Sequence, residues 1–557
     1  MKIMVDDDGR FVALSTFEEK DMLKNAGFYW DPKMKRWWTN DVEKAMLLNN
    51  FFDQSTWEYL VRLEERKQQE MIESSKIFSD FHVPFPDGVS LYPYQRAGVE
   101  FLMKHKNVML ADEQRLGKTY QTLGFVNVAR PKDVLIVCPA TVKSEWRYNA
   151  EKLLVDRYNI QVVGKNFPLP SVSGKNFFII NYDILKKWEM MLKRKWDVIV
   201  FDESHKLKNR GWAVKRVVDG KEEVEIKGTE RTYIASQLSN YADKIILLTG
   251  TPLMNRPDEF FTQLKIAKHP LGKSWKKFAD HFLIREARVN WVETVGYKNL
   301  EEFSHILRQG FMMRRTREQV FPQLPTKTRE LIPVDINDIE LTEEVKAQLD
   351  ELLERYNGLI RDIEQLDAEV RSGNKENRKE WEEKIKQLKG ELYEMEIGEI
   401  SHYRKILSEK KVEPTIKFVD DLLEEVKQVV IFGHYTSSLL KLKEHYGDRA
   451  GLLIGDTSLK QREEERILFN KGEKELMIVS MRAGGEGVSY SSADIGVFID
   501  WDWNPKVLEQ AEDRLVDITQ IRPKMYYYII VDKTIDVNVA KKILEKEEII
   551  NKVMDKI

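Results

Sequence analysis

Two stretches of the chain carry the same hydrophobic signature. Between about Leu91 and Met254, short β-branched runs alternate with segments of helical spacing: Asn107-Val-Met-Leu, Val134-Leu-Ile-Val-Cys, Phe177-Phe-Ile-Ile, Asp197-Val-Ile-Val-Phe and Lys244-Ile-Ile-Leu-Leu. Such runs, apolar on both faces, predict buried strands of a parallel sheet covered by helices. A second series follows at Gln428-Val-Val-Ile-Phe, Gly451-Leu-Leu-Ile, Leu476-Met-Ile-Val-Ser, Gly496-Val-Phe-Ile-Asp and Tyr526-Tyr-Tyr-Ile-Ile-Val. Between them, Val345, Leu349, Leu352, Tyr356, Leu359, Ile363, Leu366 and Val370 recur at steps of three and four. After the turn-like Ser372-Gly-Asn-Lys-Glu-Asn the spacing resumes at Trp381, Ile385, Leu388, Leu392 and Met395, which predicts an antiparallel helical hairpin. Ahead of all this, Phe11-Val-Ala-Leu reads as a strand, Glu18 to Asn25 as a short helix, and Ala26-Gly-Phe-Tyr-Trp-Asp-Pro as a turn into a second strand; Trp57 to about Lys76 reads as a linker helix. The fold class is α/β: two parallel-sheet lobes, a helical insertion and a small N-terminal α+β module. Boundaries are expected at 1–55, 56–86, 87–330, 331–412 and 413–557.

A length of 557 residues fits this division, since one hydrophobic core rarely supports so much chain. Charged residues at 32% and aromatics at 10% describe a folded, charge-rich protein. No apolar run approaches the ~18 residues that span a bilayer, and MKIMVDDDGR lacks the apolar stretch of a secretory signal. The expectation is a cytoplasmic protein with no membrane partner. Cys138, the single cysteine, can form neither an internal disulfide nor a multi-cysteine zinc site. With 89 Lys+Arg against 92 Asp+Glu, any polyanion must be held by local basic surface. Two regions qualify. Lys33, Lys35, Arg36, Trp37 and Trp38 interleave bases and aromatics as a nucleic-acid face does, or as a tryptophan core with a basic edge would. Lys186, Lys187, Lys193, Arg194, Lys195, Lys206, Lys208, Arg210, Lys215 and Arg216 form a basic cluster, or simply solvated helix faces.

The strand ending at Leu110 runs into Ala111-Asp-Glu-Gln-Arg-Leu-Gly-Lys-Thr and then a helix. Such a turn aims backbone N–H groups at a polyphosphate, with Lys118 a point charge for the β/γ-phosphates and Thr119 a hydroxyl for Mg²⁺. Asp202-Glu-Ser-His follows another apolar strand. Asp202 there can hold Mg²⁺ while Glu203 polarises the attacking water. Gly484, Gly485 and Gly487 permit close approach to a phosphate, or a tight structural turn. Thr141, Tyr182, Thr249, Thr251 and His434 are short donors at predicted strand ends, suited to a sugar-phosphate backbone, and each alone also suits a turn or cap. Trp146 and Trp503 can stack on a base or pack internally, with packing preferred.

With these residues in order, the chain resembles the SWI/SNF-type DNA translocases of helicase superfamily two over roughly residues 88 to 545. Leu91-Tyr-Pro-Tyr-Gln95 looks like the family's adenine-reading segment, Val134-Leu-Ile-Val-Cys-Pro-Ala-Thr-Val-Lys-Ser-Glu-Trp146 like motif Ia, and Leu248-Thr-Gly-Thr-Pro252 like motif III. Phe311-Met-Met-Arg-Arg-Thr-Arg is similar to the basic segment leaving lobe one. Val429-Val-Ile-Phe-Gly-His-Tyr-Thr looks like motif IV, Arg482-Ala-Gly-Gly-Glu-Gly487 like motif V, and Gln510-Ala-Glu-Asp-Arg514 like the start of motif VI. The resemblance implies two RecA-like lobes with ATP and Mg²⁺ between them and double-stranded or branched DNA across them, translocated rather than unwound and bound with little regard to sequence. It implies ATP contacts at Gln95, Leu116, Gly117, Lys118, Thr119, Gly487 and Gln510, and catalytic roles for Lys118, Asp202, Glu203 and Arg514. DNA contacts are implied at Thr141, Tyr182, Thr249, Thr251, His434, Arg482, Gly484 and Gly485. Ala26-Gly-Phe-Tyr-Trp-Asp-Pro to Thr39 looks like the HARP-type DNA-binding appendage of annealing helicases.

Two positions depart from the family. Arg115 stands where it has glycine, and Asp517 where it has a second lobe-two arginine, an element that can be worth ~10³ to 10⁵ in rate. Their opposite charges suggest a cross-cleft ion bridge; two independent losses in a slow or dead ATPase are the alternative. The second functional class is accordingly a DNA-binding regulator with a degenerate motor fold. A small-molecule P-loop kinase is disfavoured by the second lobe. The free protein is expected to be a monomer.

Overall fold

The first series of apolar runs assembles into one seven-stranded parallel sheet. Its order is Met312–Met313, Val108–Leu110, Ala242–Leu248, Trp196–Asp202, Asp133–Cys138, Lys175–Asn181, Tyr158–Val162. Alternate side chains enter two separate cores, as the two-residue period of a strand requires: Leu135, Phe178, Phe201 and Leu247 on one face, Ile136, Phe177, Val200 and Ile246 on the other. The computed structural model describes residues 1–164, 166, 174–218, 221–250, 252, 257–287, 292–321, 327–336, 339–371, 378–481, 489–516, 522–532, 534–537 and 540–541. It forms two units, Met1–Ser75 with Arg308–Gly310, and the remainder. Among the described residues no helix is long and apolar enough to cross a membrane.

The second series gives a six-stranded parallel sheet in the order Lys327–Val334, Lys524–Val531, Ile495–Phe498, Val429–Gly433, Leu476–Ser480, Ala450–Leu453. The first of these strands corrects the boundary at 330. It pairs along its whole length with Lys524–Val531 and so belongs to lobe two. Its first half, Lys327-Thr-Arg-Glu, is polar and mostly exposed, as suits an edge strand, and its apolar half, Leu331-Ile-Pro-Val, is short and contains a proline, so the pattern does not announce it. The boundaries of the 56–86 linker also move. The helix Gln54–Ser74 belongs to the N-terminal unit, whereas Phe81, Val83 and Phe85 pack on lobe one.

Glu343–Arg371 and Arg378–Met395 form the expected hairpin, antiparallel by the pairs Arg355–Glu399 at 2.9 Å and Lys389–Asp367 at 3.9 Å. Leu349, Leu352, Tyr356 and Met395 join the core of lobe two. The N-terminal unit is an antiparallel sheet ordered Lys2–Val5, Phe11–Leu14, Arg36–Thr39, Tyr29–Asp31, over a core of Ile3, Phe11, Leu23, Phe28 and Leu48. Trp37 packs against that core while Trp30 remains half exposed. Two antiparallel hairpins, Gly211–Val218 with Lys221–Gly228 and Leu283–Ala287 with Val292–Tyr297, were not expected from the pattern.

Candidate functional site

Val108–Leu110 delivers the chain into a loop that ends at Gly117, the N-cap of the helix Lys118–Ala129. Gly117 has φ +71° and ψ +42°, a left-handed conformation suited to glycine. Space demands glycine as well, because a Cβ there would stand 2.3 Å from Gln95 Nε2. Gln95 is buried; its Nε2 donates to the Leu116 carbonyl at 3.4 Å and its Oε1 accepts the Tyr92 N–H at 3.0 Å. Lys118 Nζ donates to the carbonyls of Asp112 at 2.8 Å and Glu113 at 3.1 Å, so the loop holds its own lysine. Burial draws that ammonium below the usual lysine range, against the pull of Glu203, Asp112 and Asp202.

Beneath the loop lies an ion pair that the motif alone does not reveal. Arg315 Nε donates to Asp112 Oδ1 at 2.9 Å and Nη2 to Oδ2, with both side chains fully buried. Nη2 also reaches Gln121 Oε1 at 2.9 Å, and the Gln121 amide donates to Asp112 Oδ2 at 3.0 Å and to the Leu116 carbonyl at 3.2 Å. Severing one partner of such a pair typically costs about 3–5 kcal/mol.

The acidic pair sits at the carboxyl end of Trp196–Asp202. Asp202 Oδ2 accepts the Trp146 indole N–H at 2.8 Å, and Oδ1 accepts the Glu203 N–H at 3.0 Å. Trp146 is thus buried, as its preferred reading required, and additionally orients Asp202. Glu203 adopts φ +49° and turns its carboxylate into the cleft. Its Oε2 is shielded from solvent, lies 3.2 Å from His205 Nδ1, and has no hydrogen-bond partner among the described residues. Burial alone would raise this carboxyl, but the His205 ring and the Lys118 ammonium outweigh it and hold it below the usual range. Glu203 is therefore ionised at neutral pH.

Two residues expected to contact a sugar-phosphate backbone are engaged inside lobe one. The Tyr182 hydroxyl donates to the Asp202 carbonyl at 2.7 Å, and Thr249 Oγ1 pairs with His205 Nδ1 at 3.2 Å; the residues are 3% and 0% exposed. Both brace the acidic segment from within. His434 donates its N–H to Asp500 Oδ2 at 2.9 Å and its ring stands 3.5 Å from Asp502, while Thr141 is exposed. Thr251, Arg482, Gly484, Gly485, Gly487 and Asp517 lie outside the described residues. Much of the lobe-one basic cluster is paired with acids: Lys186 with Glu230, Lys193 with Glu189, Arg194 with Asp133, Lys195 with Asp243 and Lys208 with Glu259, all within 3.1 Å.

A cleft of about 320 Å³ gathers Gly117, Lys118, Thr119, Asp202 and Glu203 from lobe one with Gln510 and Arg514 from lobe two. That volume falls within the roughly 300–1,000 Å³ of small-molecule sites. Arg115 and Glu145 line the same cleft. Arg115 has φ +70°, the conformation in which a side chain is strained. Burial raises the Glu145 carboxyl, and Arg115 works against that. Among the described residues no group of three or more His, Cys, Asp or Glu forms a metal cluster. Mg²⁺ does not need one, since it binds through one or two carboxylates together with substrate phosphates. Thr119 and Asp202 in a phosphate-sized cleft fit that requirement.

Residues 94–343 match the SNF2-related domain, and residues 411–518 the helicase conserved C-terminal domain. Over 83% of the chain there is 29% identity to the Drosophila melanogaster SWI/SNF-related matrix-associated actin-dependent regulator of chromatin subfamily A-like protein 1, spanning 56% of that protein. Over 80% there is 25% identity to the human DNA annealing helicase and endonuclease ZRANB3, spanning 39% of it. The chain thus spans about half the length, or less, of these relatives. The Sulfolobus solfataricus SWI2/SNF2 ATPase core in complex with dsDNA is 19% identical, with 86% of this chain and 95% of that one covered and a TM-score of 0.38. An SNF2-related domain thus lies in the first lobe and a helicase conserved C-terminal domain in the second, and along most of its length the chain is similar to SWI/SNF-related proteins.

Proposed function

We propose that this chain hydrolyses ATP between its lobes and uses the energy to translocate on, or remodel, double-stranded or forked DNA. The observation that carries the reading is the cleft itself, where Lys118, Thr119, Asp202 and Glu203 of one lobe face Gln510 and Arg514 of the other. Lys118 exchanges the carbonyls of Asp112 and Glu113 for phosphate oxygens. Thr119 and Asp202 would hold Mg²⁺, which offsets phosphate charge. Trp146 fixes the orientation of Asp202. Glu203, ionised and 3.2 Å from the His205 ring, accepts a proton from the attacking water. Arg514 supplies positive charge from lobe two as negative charge develops on the phosphoryl oxygens. The DNA assignment draws support from the SNF2-related and helicase C-terminal domain matches and from relatives named for chromatin regulation and DNA annealing.

The test is ATP hydrolysis with and without duplex or forked DNA. Stimulation by DNA, abolished by Lys118→Ala, is expected. Intact DNA binding without stimulation favours a second reading, a DNA-binding regulator with a slow or inactive site. The strained Arg115 in the phosphate loop is the observation on that side.

A further inference from the structure

Lobe one hands the chain to lobe two through a charged segment whose residues point in opposite directions. After Met312–Met313, Arg314 and Arg315 turn back into lobe one, Arg314 Nη1 donating to the Ala111 carbonyl at 3.1 Å and Arg315 engaging Asp112. Thr316 then caps the short helix Arg317–Val320. Arg317 reaches both lobes. Its main-chain N–H donates to Glu113 Oε2 at 2.8 Å and its Nε to the same oxygen at 3.2 Å, while Nη1 donates to Asp513 Oδ1 at 2.7 Å. The guanidinium is 11% exposed and the Asp513 carboxylate 4%. Lys327, which opens the edge strand of lobe two, donates to the same Asp513 oxygen at 2.5 Å and to Glu512 Oε2 at 3.2 Å.

Both ends of this bridge adjoin residues that line the cleft. Glu113 is part of the phosphate loop, and its carbonyl is one of the two that hold Lys118. Asp513 immediately precedes Arg514, which lines the cleft from lobe two. A planar guanidinium with donors in several directions can serve two carboxylates at once, which a lysine ammonium does poorly. Burial opposes charge here, yet Asp513 and Glu113 together keep Arg317 above its ordinary range. Burial likewise opposes ionisation of Asp513, and Arg317 and Lys327 outweigh it. One side chain thus links the loop that holds Lys118 to the residue beside Arg514.

The geometry points to Arg317 as a positioning residue: by joining Glu113 of the phosphate loop to Asp513 it sets where Arg514 stands against the nucleotide. The inference rests on the ATP-site reading above. A chain of contacts is not by itself coupling, so the test measures coupling. Arg317→Gln, Arg317→Lys, Asp513→Asn, Glu113→Gln and the Arg317→Gln/Asp513→Asn pair are compared in the full chain. Three quantities are read: the distance between a spin label on each lobe without nucleotide, equilibrium ATP affinity, and DNA-stimulated kcat. Arg317→Gln is expected to broaden the interlobe distance and lower kcat at least tenfold while ATP affinity changes less than threefold. Arg317→Lys should recover only part of the loss, and the double variant should be no worse than the poorer single one. Glu113→Gln removes the charge but keeps an acceptor at the lobe-one end alone, leaves Asp513 paired with Lys327, and should show a smaller loss that is again specific to kcat. An unchanged distance with unchanged kcat, or losses that multiply in the double variant, overturns the inference. If the wild-type chain hydrolyses no ATP, the ATP-site reading falls, and the nucleotide-free distances still decide whether the bridge exists.

Discussion

Arg115 holds a left-handed backbone that costs a non-glycine residue about 1–3 kcal/mol, at the position where the family resemblance puts glycine. It also lines the cleft and opposes the rise that burial imposes on the Glu145 carboxyl. Strain retained beside a phosphate site suggests that the side chain has work there. Arg115→Gly should raise stability by about 1 kcal/mol in denaturant unfolding, through release of the strain, and at the same time weaken ATP binding through loss of a cation. A fall in stability would mean that contacts of the arginine exceed its strain. Its expected partner Asp517 lies outside the described residues; among the described residues Glu113, Arg317 and Asp513 form an ion bridge between the lobes. Lys118, Asp202 and Glu203 were legible in the sequence because their types and strand-end positions carry the chemistry. Trp146 and Arg315 were not assigned their roles. Their partners Asp202 and Asp112 are 56 and 203 residues away, and hydrogen bonding at that separation leaves no local periodicity to read.

At the scale of elements, the strands buried on both faces were legible and the edges were not. Lys327–Val334 and Tyr158–Val162 are exposed or half-buried, so the apolar signal that marks an inner strand is missing from them. The three-residue turn Pro270–Gly272 in lobe one offers a pH test of such local structure. His269 caps it, Nδ1 accepting the Leu271 N–H at 3.2 Å, with the ring tilted against Phe311. Burial lowers its pKa from 6.5 to about 4. The unfolded chain therefore takes up this proton first. Stability from His269 is fully present above about pH 6.5 and is lost as pH falls toward 4, by at most about 3 kcal/mol. His269→Asn, which can cap the same N–H without titrating, should flatten unfolding midpoints between pH 6.5 and 4.5. An unchanged slope would place the acid sensitivity elsewhere.

At the scale of the whole molecule, a chain with net charge −3 would have to attract DNA through local basic surface. Cations already paired with carboxylates release few counterions on binding, and in lobe one Lys186 and Lys208 are held by Glu230 and Glu259. The N-terminal unit differs. Lys35 and Arg36 are exposed, make no ion pair among the described residues, and line a cavity with Trp30, Trp37 and Phe17, of which Phe17 is 80% exposed. Trp37 packs against the core of this unit and pairs across adjacent strands with the half-exposed Trp30, their ring centroids 5.6 Å apart. If DNA is the substrate, affinity should fall log-linearly with salt and vary little with sequence. Lys35→Gln and Arg36→Gln should each flatten that salt slope by about one and weaken all sequences alike. Lys186→Gln and Lys208→Gln should leave the slope unchanged, because each removes a cation whose charge is already met. The reverse ranking, read by fluorescence anisotropy across a salt series, would move the DNA surface from the N-terminal unit to lobe one.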